Sequence, residues 1–224
     1  MKRICSLSIM TVLCISTAYA KPPENISDVV SAAIAYHDSG AYQRDFADVV
    51  GQAQQWIKEQ AGKVIKPAIV LDIDETTLSN WEELRANQFA YFPDGTCDHL
   101  PQGPCGVLSW ERSGRSSAFP PMKALIDEAQ RLNVSVFFVT GRHENERIIT
   151  SDNLKKSGIS HWDGLILRPM NSYTSAASYK APVRASLEQK GYTIIANIGD
   201  QASDLAGGHA MKSFLLPNPF YRIP

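Results

Sequence analysis

The chain has 224 residues and a formal net charge of −1, with 22 Lys and Arg against 23 Asp and Glu. So even a balance leaves no basic footprint for a nucleic-acid polymer or an anionic membrane surface. The length supports one domain with a sizeable core.

The first segment reads as a targeting signal. Lys2 and Arg3 form a basic start, Ile4 to Thr17 is apolar, and Ala18-Tyr19-Ala20 is a small-x-small cleavage site. The apolar run is shorter than the about 20 residues of a spanning helix, and a retained anchor is the alternative. Cys14 offers a point for lipid attachment, but Leu13 stands where a lipoprotein signal prefers a small residue. The expectation is removal of residues 1–20 and a periplasmic or secreted domain over residues 21–224, with no membrane span.

Residues 21–66 carry two helical patterns. Ile26, Val29, Val30 and Ala33 are spaced for one face, as are Tyr42, Phe46, Val49, Val50, Ala53, Trp56 and Ile57. Asp38-Ser39-Gly40 separates them as a turn. Both helices read as packing elements.

From Pro67 onward, apolar runs of strand length alternate with helical stretches. The runs are Ala68 to Leu71, Val134 to Val139, Gly164 to Leu167, Thr193 to Ile198 and Ser213 to Leu216. Helix candidates start near Pro121, Glu144, Lys180 and Gln201. This alternation predicts an α/β fold with a mostly parallel sheet covered on both faces. Active sites in such sheets lie beyond the carboxyl ends of the strands. Residues 75–119 break the alternation and read as a small cap-like insertion over those ends. Its aromatics, Trp81, Phe89, Tyr91, Phe92, Trp110 and Phe119, either form its own small core or stack on an aryl group or nucleobase.

The insertion also holds Cys97 and Cys105, the two of four cysteines that lie outside the signal. Export to an oxidising compartment predicts a local disulfide. A metal site is the rival, since His99 lies between them, but it lacks a second ligand pair.

The first strand runs into Leu71-Asp72-Ile73-Asp74-Glu75-Thr76. Residues two apart on a strand point the same way, so Asp72 and Asp74 can face one site. Two carboxylates that close repel unless a cation balances them, which suits a nucleophile beside an acid/base with a metal present. A solvated acidic turn is the plain alternative. The second strand runs into Val139-Thr140-Gly141-Arg142, where a hydroxyl and adjacent N–H groups can cradle phosphate, or simply make a turn. Lys180 opens a helix, either as a surface charge or as the cation balancing phosphate and carboxylates. The fourth strand runs into Asn197-Ile198-Gly199-Asp200-Gln201-Ala202-Ser203-Asp204, placing Asp200 and Asp204 one helical turn apart. Hard oxygen ligands of this kind favour magnesium over zinc.

This ordered set closely resembles the haloacid dehalogenase-like superfamily. Asp72 to Thr76 and Asn197 to Leu205 look like its four-aspartate acid phosphatases, the class B and class C bacterial enzymes and the plant vegetative-storage-protein-like group. Trp162 to Pro169 and Pro217 to Tyr221 extend the likeness from Pro67 to the C terminus. The resemblance implies a Rossmann-like sheet and a magnesium-dependent phosphatase acting on small phosphomonoesters, nucleotides among them. It implies that Asp72 is the nucleophile and a magnesium ligand, and that the Asp74 carbonyl ligates the metal while its side chain is the acid/base. Thr140, Gly141 and Lys180 would hold phosphoryl oxygens. Asp200 would ligate magnesium with Asp204 behind it. Glu75 departs from the wider superfamily, where many members have Gly. The alternatives are a phosphotransferase using the same phosphoenzyme, or a storage or binding protein on the same fold. A receiver domain also uses a phospho-accepting Asp and a Lys, but the export signal and the Asp-x-Asp pair disfavour it.

Overall fold

The computed structural model describes residues 23–170 and 175–223, so the expected signal segment and Cys14 lie outside the described residues. Two helices lead the chain, α1 (Ile26–Asp38) and α2 (Ala41–Gln60). Gly40 joins them at φ 76°, in the left-handed region that glycine occupies without penalty. The periodicity of α2 holds: Tyr42, Phe46, Val50, Ala53 and Ile57 are all buried. That of α1 holds only at its C-terminal half. Ala33 is buried, but Ile26 and Val29 are 79% and 46% exposed, because α1 packs on α2 through its later turns.

Five strands form one wholly parallel sheet in the order β5-β4-β1-β6-β7. They are β1 (Pro67–Leu71), β4 (Ser135–His143), β5 (Gly164–Arg168), β6 (Thr193–Gly199) and β7 (Ser213–Leu215). The remaining pair, β2 (Leu78–Ser79) and β3 (Ser117–Ala118), is a short antiparallel ribbon at the base of the insertion. Side chains alternate across β1, and both faces are covered. Ile69 and Leu71 join the core beneath α2 and α5 (Pro120–Arg131), with Phe138, Leu125 and Ile126. Ala68 and Val70 meet Phe137, Val139 and Leu187 under α7 (Ala176–Gln189). With β4 on one side of β1 and β6 on the other, strand order reverses at β1. That reversal opens a crevice at the carboxyl ends.

Two boundaries move from their expected places. β4 runs on to His143 because it pairs with β5 again at His143 and Arg168, after a register shift following Val139. Thr140, Gly141 and Arg142 therefore lie within the strand's irregular end. Helix α7 begins at Ala176 behind Ser175, whose Oγ accepts from Ser178 N–H, so Lys180 sits in the second turn instead of opening the helix.

The insertion adds α3 (Trp81–Ala86) and α4 (Val107–Ser113). Its aromatics mostly pack: Trp110 and Phe119 are buried, and Trp81 and Phe89 flank the main core, whereas Tyr91 is 77% exposed. Cys97 and Cys105 are joined as a disulfide. Asn87 brackets the bridge, donating to Cys105 O and accepting from Cys105 N–H, each at 2.8 Å. Gly103 fits only without a side chain, since a Cβ there would lie 2.2 Å from Ala86 O.

The unequal burial of the two leading helices has a measurable consequence. Phe46 is 1% exposed and stacks on Phe119 at 4.2 Å. Phe46→Ala should cost about 3–5 kcal/mol by urea unfolding, and Ile26→Ser should stay within about 0.5 kcal/mol. Comparable losses from both would contradict the packing of α1.

Candidate active site

The crevice gathers its charged residues from the ends of β1, β4 and β6 and from helix α7. Asp72 follows β1, its N–H donating to Ile198 O of β6 at 3.1 Å, so its backbone is held between the central strands. Lys180 reaches in from α7 and donates to Asp72 Oδ1 at 2.5 Å and Asp204 Oδ1 at 2.6 Å. Asp204 belongs to α8 (Ala202–Leu205), and its Oδ2 accepts from Gln201 N–H at 3.0 Å, closing the helix start. Gly199 makes this fold-back possible, since a Cβ there would lie 2.5 Å from Asp204 Oδ2. Asp72, Asp200 and Asp204 each offer an oxygen within 4.8 Å of the others, all three buried.

Burial shapes the charges of this group. It pushes the Asp72 carboxyl well above its ordinary range; Lys180 opposes the shift, and Asp204 and Asp200 add to it. The same burial would lower Lys180, but Asp72 and Asp204 overcome it and hold the ammonium protonated. Asp200 is pushed up to about 6, first by burial and then by Asp204. Donors from Asn218, Gln201 and Thr76 work against that rise, at 2.7, 2.6 and 3.0 Å.

Asp74 faces the same cavity but pairs with a different cation. Arg142 donates to it bidentately, Nε to Oδ2 at 3.0 Å and a terminal nitrogen to Oδ1 at 2.6 Å. Asn80 adds a bond to Oδ1 at 2.9 Å. Burial alone would raise the Asp74 carboxyl, but Arg142 outweighs it and holds the group below its ordinary range. Arg142 also lies 3.4 Å from Glu111 on α4. In the sequence Arg142 is only the residue after Thr-Gly, and its partnership with Asp74 has no local signature. Asn80, Asn218 and Gln201 are equally silent there.

Thr140 is fully buried, its Oγ1 accepting from Arg142 N–H at 3.1 Å, whereas Gly141 lies on the cavity wall. Asp72, Asp74, Lys180, Asp200 and Asp204 line the same cavity, of about 650 Å³. Apolar side chains line it as well, Val107 and Leu108 from α4, Ile149 from α6 (Arg147–Lys156), and Tyr91 and Met170, beside the charged Arg112, Glu146 and Arg168. Such a site can bring an anionic nucleophile, a cation and an acid/base around one tetrahedral anion while an organic group sits at the rim.

The chain resembles known proteins over most of its length. The family described as HAD superfamily, subfamily IIIB (acid phosphatase) matches residues 7–224. Acid phosphatase 1 of Solanum lycopersicum is 31% identical over 206 residues, covering 90% of this chain and 76% of that protein. Vegetative storage protein 1 of Arabidopsis thaliana is 33% identical over 188 residues, 83% of this chain and 67% of that one. The class C acid phosphatase from Bacillus anthracis shares the fold, with a TM-score of 0.70 at 20% identity over 88% of this chain and 86% of that one.

The buried acids beside the cavity predict an unusual pH dependence of stability. Burial raises Glu83 from 4.5 to about 7 and Glu111 from 4.5 to about 8. Each therefore stabilises the fold fully below about pH 4.5, and loses that contribution as pH rises through its folded value. The thermal midpoint, measured in chelator, should fall between pH 5 and pH 8, and Glu83→Gln should flatten the decline. A midpoint that climbs with pH across this window would contradict the burial of both groups.

Proposed function

The chain belongs to the acid phosphatases of HAD superfamily subfamily IIIB, and from that premise we propose that it hydrolyses small phosphomonoesters, nucleotides included, through a phospho-aspartate on Asp72. One observation carries the reading. Asp72 stands at the centre of the sheet's carboxyl edge, paired with Lys180 and grouped with Asp200 and Asp204.

The residues present fit magnesium. Three buried carboxylates beside one ammonium leave excess negative charge, and their donors are hard oxygens. Asp72, the Asp74 carbonyl and Asp200 would hold the ion, with Asp204 behind them. When bound, magnesium would neutralise the meeting of an anionic nucleophile and an anionic substrate, and polarise the phosphoryl oxygens.

The chain's own groups do the rest. Lys180 holds Asp72 Oδ1, which leaves Oδ2 to attack phosphorus. The Asp72–phosphorus bond forms as the bond to the leaving alcohol breaks. Arg142 keeps Asp74 ionised at rest, so Asp74 first takes a proton from solvent or from the substrate monoanion and gives it to that alcohol, then takes one from the water that breaks the Asp72–phosphorus bond and releases inorganic phosphate. Lys180 and the Gly141 N–H steady the equatorial oxygens, and Thr140, buried behind the cavity wall in this structure, would join them only if its hydroxyl turned from the Arg142 N–H; positioning of this kind is most of phosphoryl-transfer catalysis.

The Cys97–Cys105 bridge and the signal pattern in residues 1–20 support export to a periplasmic or extracellular site. A storage role on the same fold would not require Asp72, Asp74, Lys180, Asp200 and Asp204 together.

Two measurements test the reading. Exhaustive chelation and metal-free dialysis should abolish turnover, and magnesium should restore it; full activity without metal would remove the ion from the site. Quenching after mixing with radiolabelled aryl phosphate should trap label on Asp74→Asn, where attack survives but water activation fails. Asp72→Asn should trap none. General acid/base help is worth about 10²–10⁴-fold, which sets the loss expected in Asp74→Asn turnover. The reverse labelling pattern would exchange the two roles.

A further inference from the structure

The proposed mechanism uses the strand ends and leaves the insertion without a task. Yet one insertion residue touches the acid/base directly. Asn80 stands at the N-cap position of α3, where an Asn side chain ordinarily accepts from the helix's first N–H groups. Here it makes no such bond. It is buried, and its amide is engaged elsewhere at both ends.

The indole N–H of Trp110 on α4 donates to Asn80 Oδ1 at 2.9 Å, and Ser116 Oγ donates to the same oxygen at 2.9 Å. An indole nitrogen can only donate, so the atom facing Trp110 has to be the amide oxygen. The amide nitrogen is thereby turned toward Asp74, where it donates to Oδ1 at 2.9 Å. The backbone of Asn80 is fixed as well, its N–H donating to Glu75 Oε1 at 2.5 Å. Glu75 itself sits at φ 51°, a left-handed conformation that glycine adopts most readily. A Glu there keeps a buried acceptor for Asn80 that a glycine could not supply.

Asp74 Oδ1 thus accepts from Arg142 and Asn80 together, while Oδ2 accepts from Arg142 Nε. Two donors on Oδ1 stop the carboxyl from rotating about its bond and leave Oδ2 as the oxygen with a lone pair for the transferred proton.

We infer that Asn80 is a positioning residue for the Asp74 carboxylate, with the Trp110 indole fixing which end of its amide faces the site, so that the insertion sets the geometry of proton transfer. The inference rests on Asp74 being the acid/base of the proposed reaction. Its mark is selectivity for the leaving group: an alkoxide needs a proton as it departs, and a stabilised phenolate hardly does.

The test measures kcat/KM of the magnesium-loaded enzyme with p-nitrophenyl phosphate and with an alkyl phosphate, alongside the thermal midpoint of each variant. Asn80→Ala should lower the alkyl value about 10²-fold and the aryl value less than about tenfold. Trp110→Phe keeps the ring in its packing but removes the N–H, and Ser116, whose hydroxyl can donate or accept, no longer prevents the amide from turning over. It should lose about tenfold on the alkyl substrate alone, and the double variant should be no worse than Asn80→Ala. Asp74→Asn serves as control. If it fails to discriminate between the substrates, the acid/base reading itself falls. If it discriminates while the Asn80 and Trp110 variants lower both substrates in proportion to lost stability, or leave the alkyl value intact, the positioning role is overturned and the reading of Asp74 stands.

Discussion

Lys180 Nζ lies between Asp72 Oδ1 and Asp204 Oδ1, at 2.5 and 2.6 Å, with all three side chains buried. Taking an ammonium and carboxylates out of water costs several kcal/mol per ion, and their attraction offsets this only with good geometry. Such a group is a poor device for stability alone. It needs a scaffold stable enough to hold it, and here that is a parallel sheet buried on both faces. Asp72 leaves the central strand, Asp204 folds back from the end of β6 past Gly199, and Lys180 descends from the helix covering one face. Three segments far apart in the chain therefore meet only if the sheet has this order.

The carboxylates at the mouth are held by a recurrent device. Asn80 presents its nitrogen to Asp74 because its oxygen is occupied by Trp110 and Ser116. Asn218 presents its nitrogen to Asp200 while its oxygen accepts from Phe220 N–H. Gln201 does the same, its oxygen accepting from Ile223 N–H. In each case a neighbour that can only donate settles which way the amide points. A buried carboxylate that must keep one orientation is better served by these neutral donors than by more cations, which would compete with substrate and metal. The C-terminal segment, from Pro217 onward, is thereby part of the Asp200 environment.

The insertion joins this framework through α4. Trp110 points down to Asn80, Glu111 lies against Arg142, and Val107 and Leu108 line the cavity. Immediately before α4 lies the disulfide, clasped by Asn87. A segment with little regular structure is in this way tied at the bridge, at Asn87 and at Asn80, while Tyr91 remains open to solvent at the rim.

Much of this was legible in the order of residues alone. The apolar runs from Ala68 to Leu216 gave the α/β alternation, because strands buried on both faces must be apolar throughout. Asp72, Asp74, Asp200 and Asp204 were legible because they follow those runs, where sheet geometry puts active sites. The pairing of Cys97 with Cys105 followed from short spacing and the expectation of export. Other features had no local sign. Whether α1 is covered along its length depends on what lies against it, and Ile26 and Val29 prove exposed despite their spacing. The irregular end of β4 is set by its second pairing with β5, which periodicity within β4 does not encode. Lys180 was a candidate partner for the carboxylates, but the rest of their surroundings was invisible: Arg142 lies 68 residues from Asp74, and Trp110 lies 30 from the Asn80 that holds it. Spacing along a chain reveals which residues share a strand or a helix face. The direction of a side-chain amide is decided only by the donors that folding brings to it.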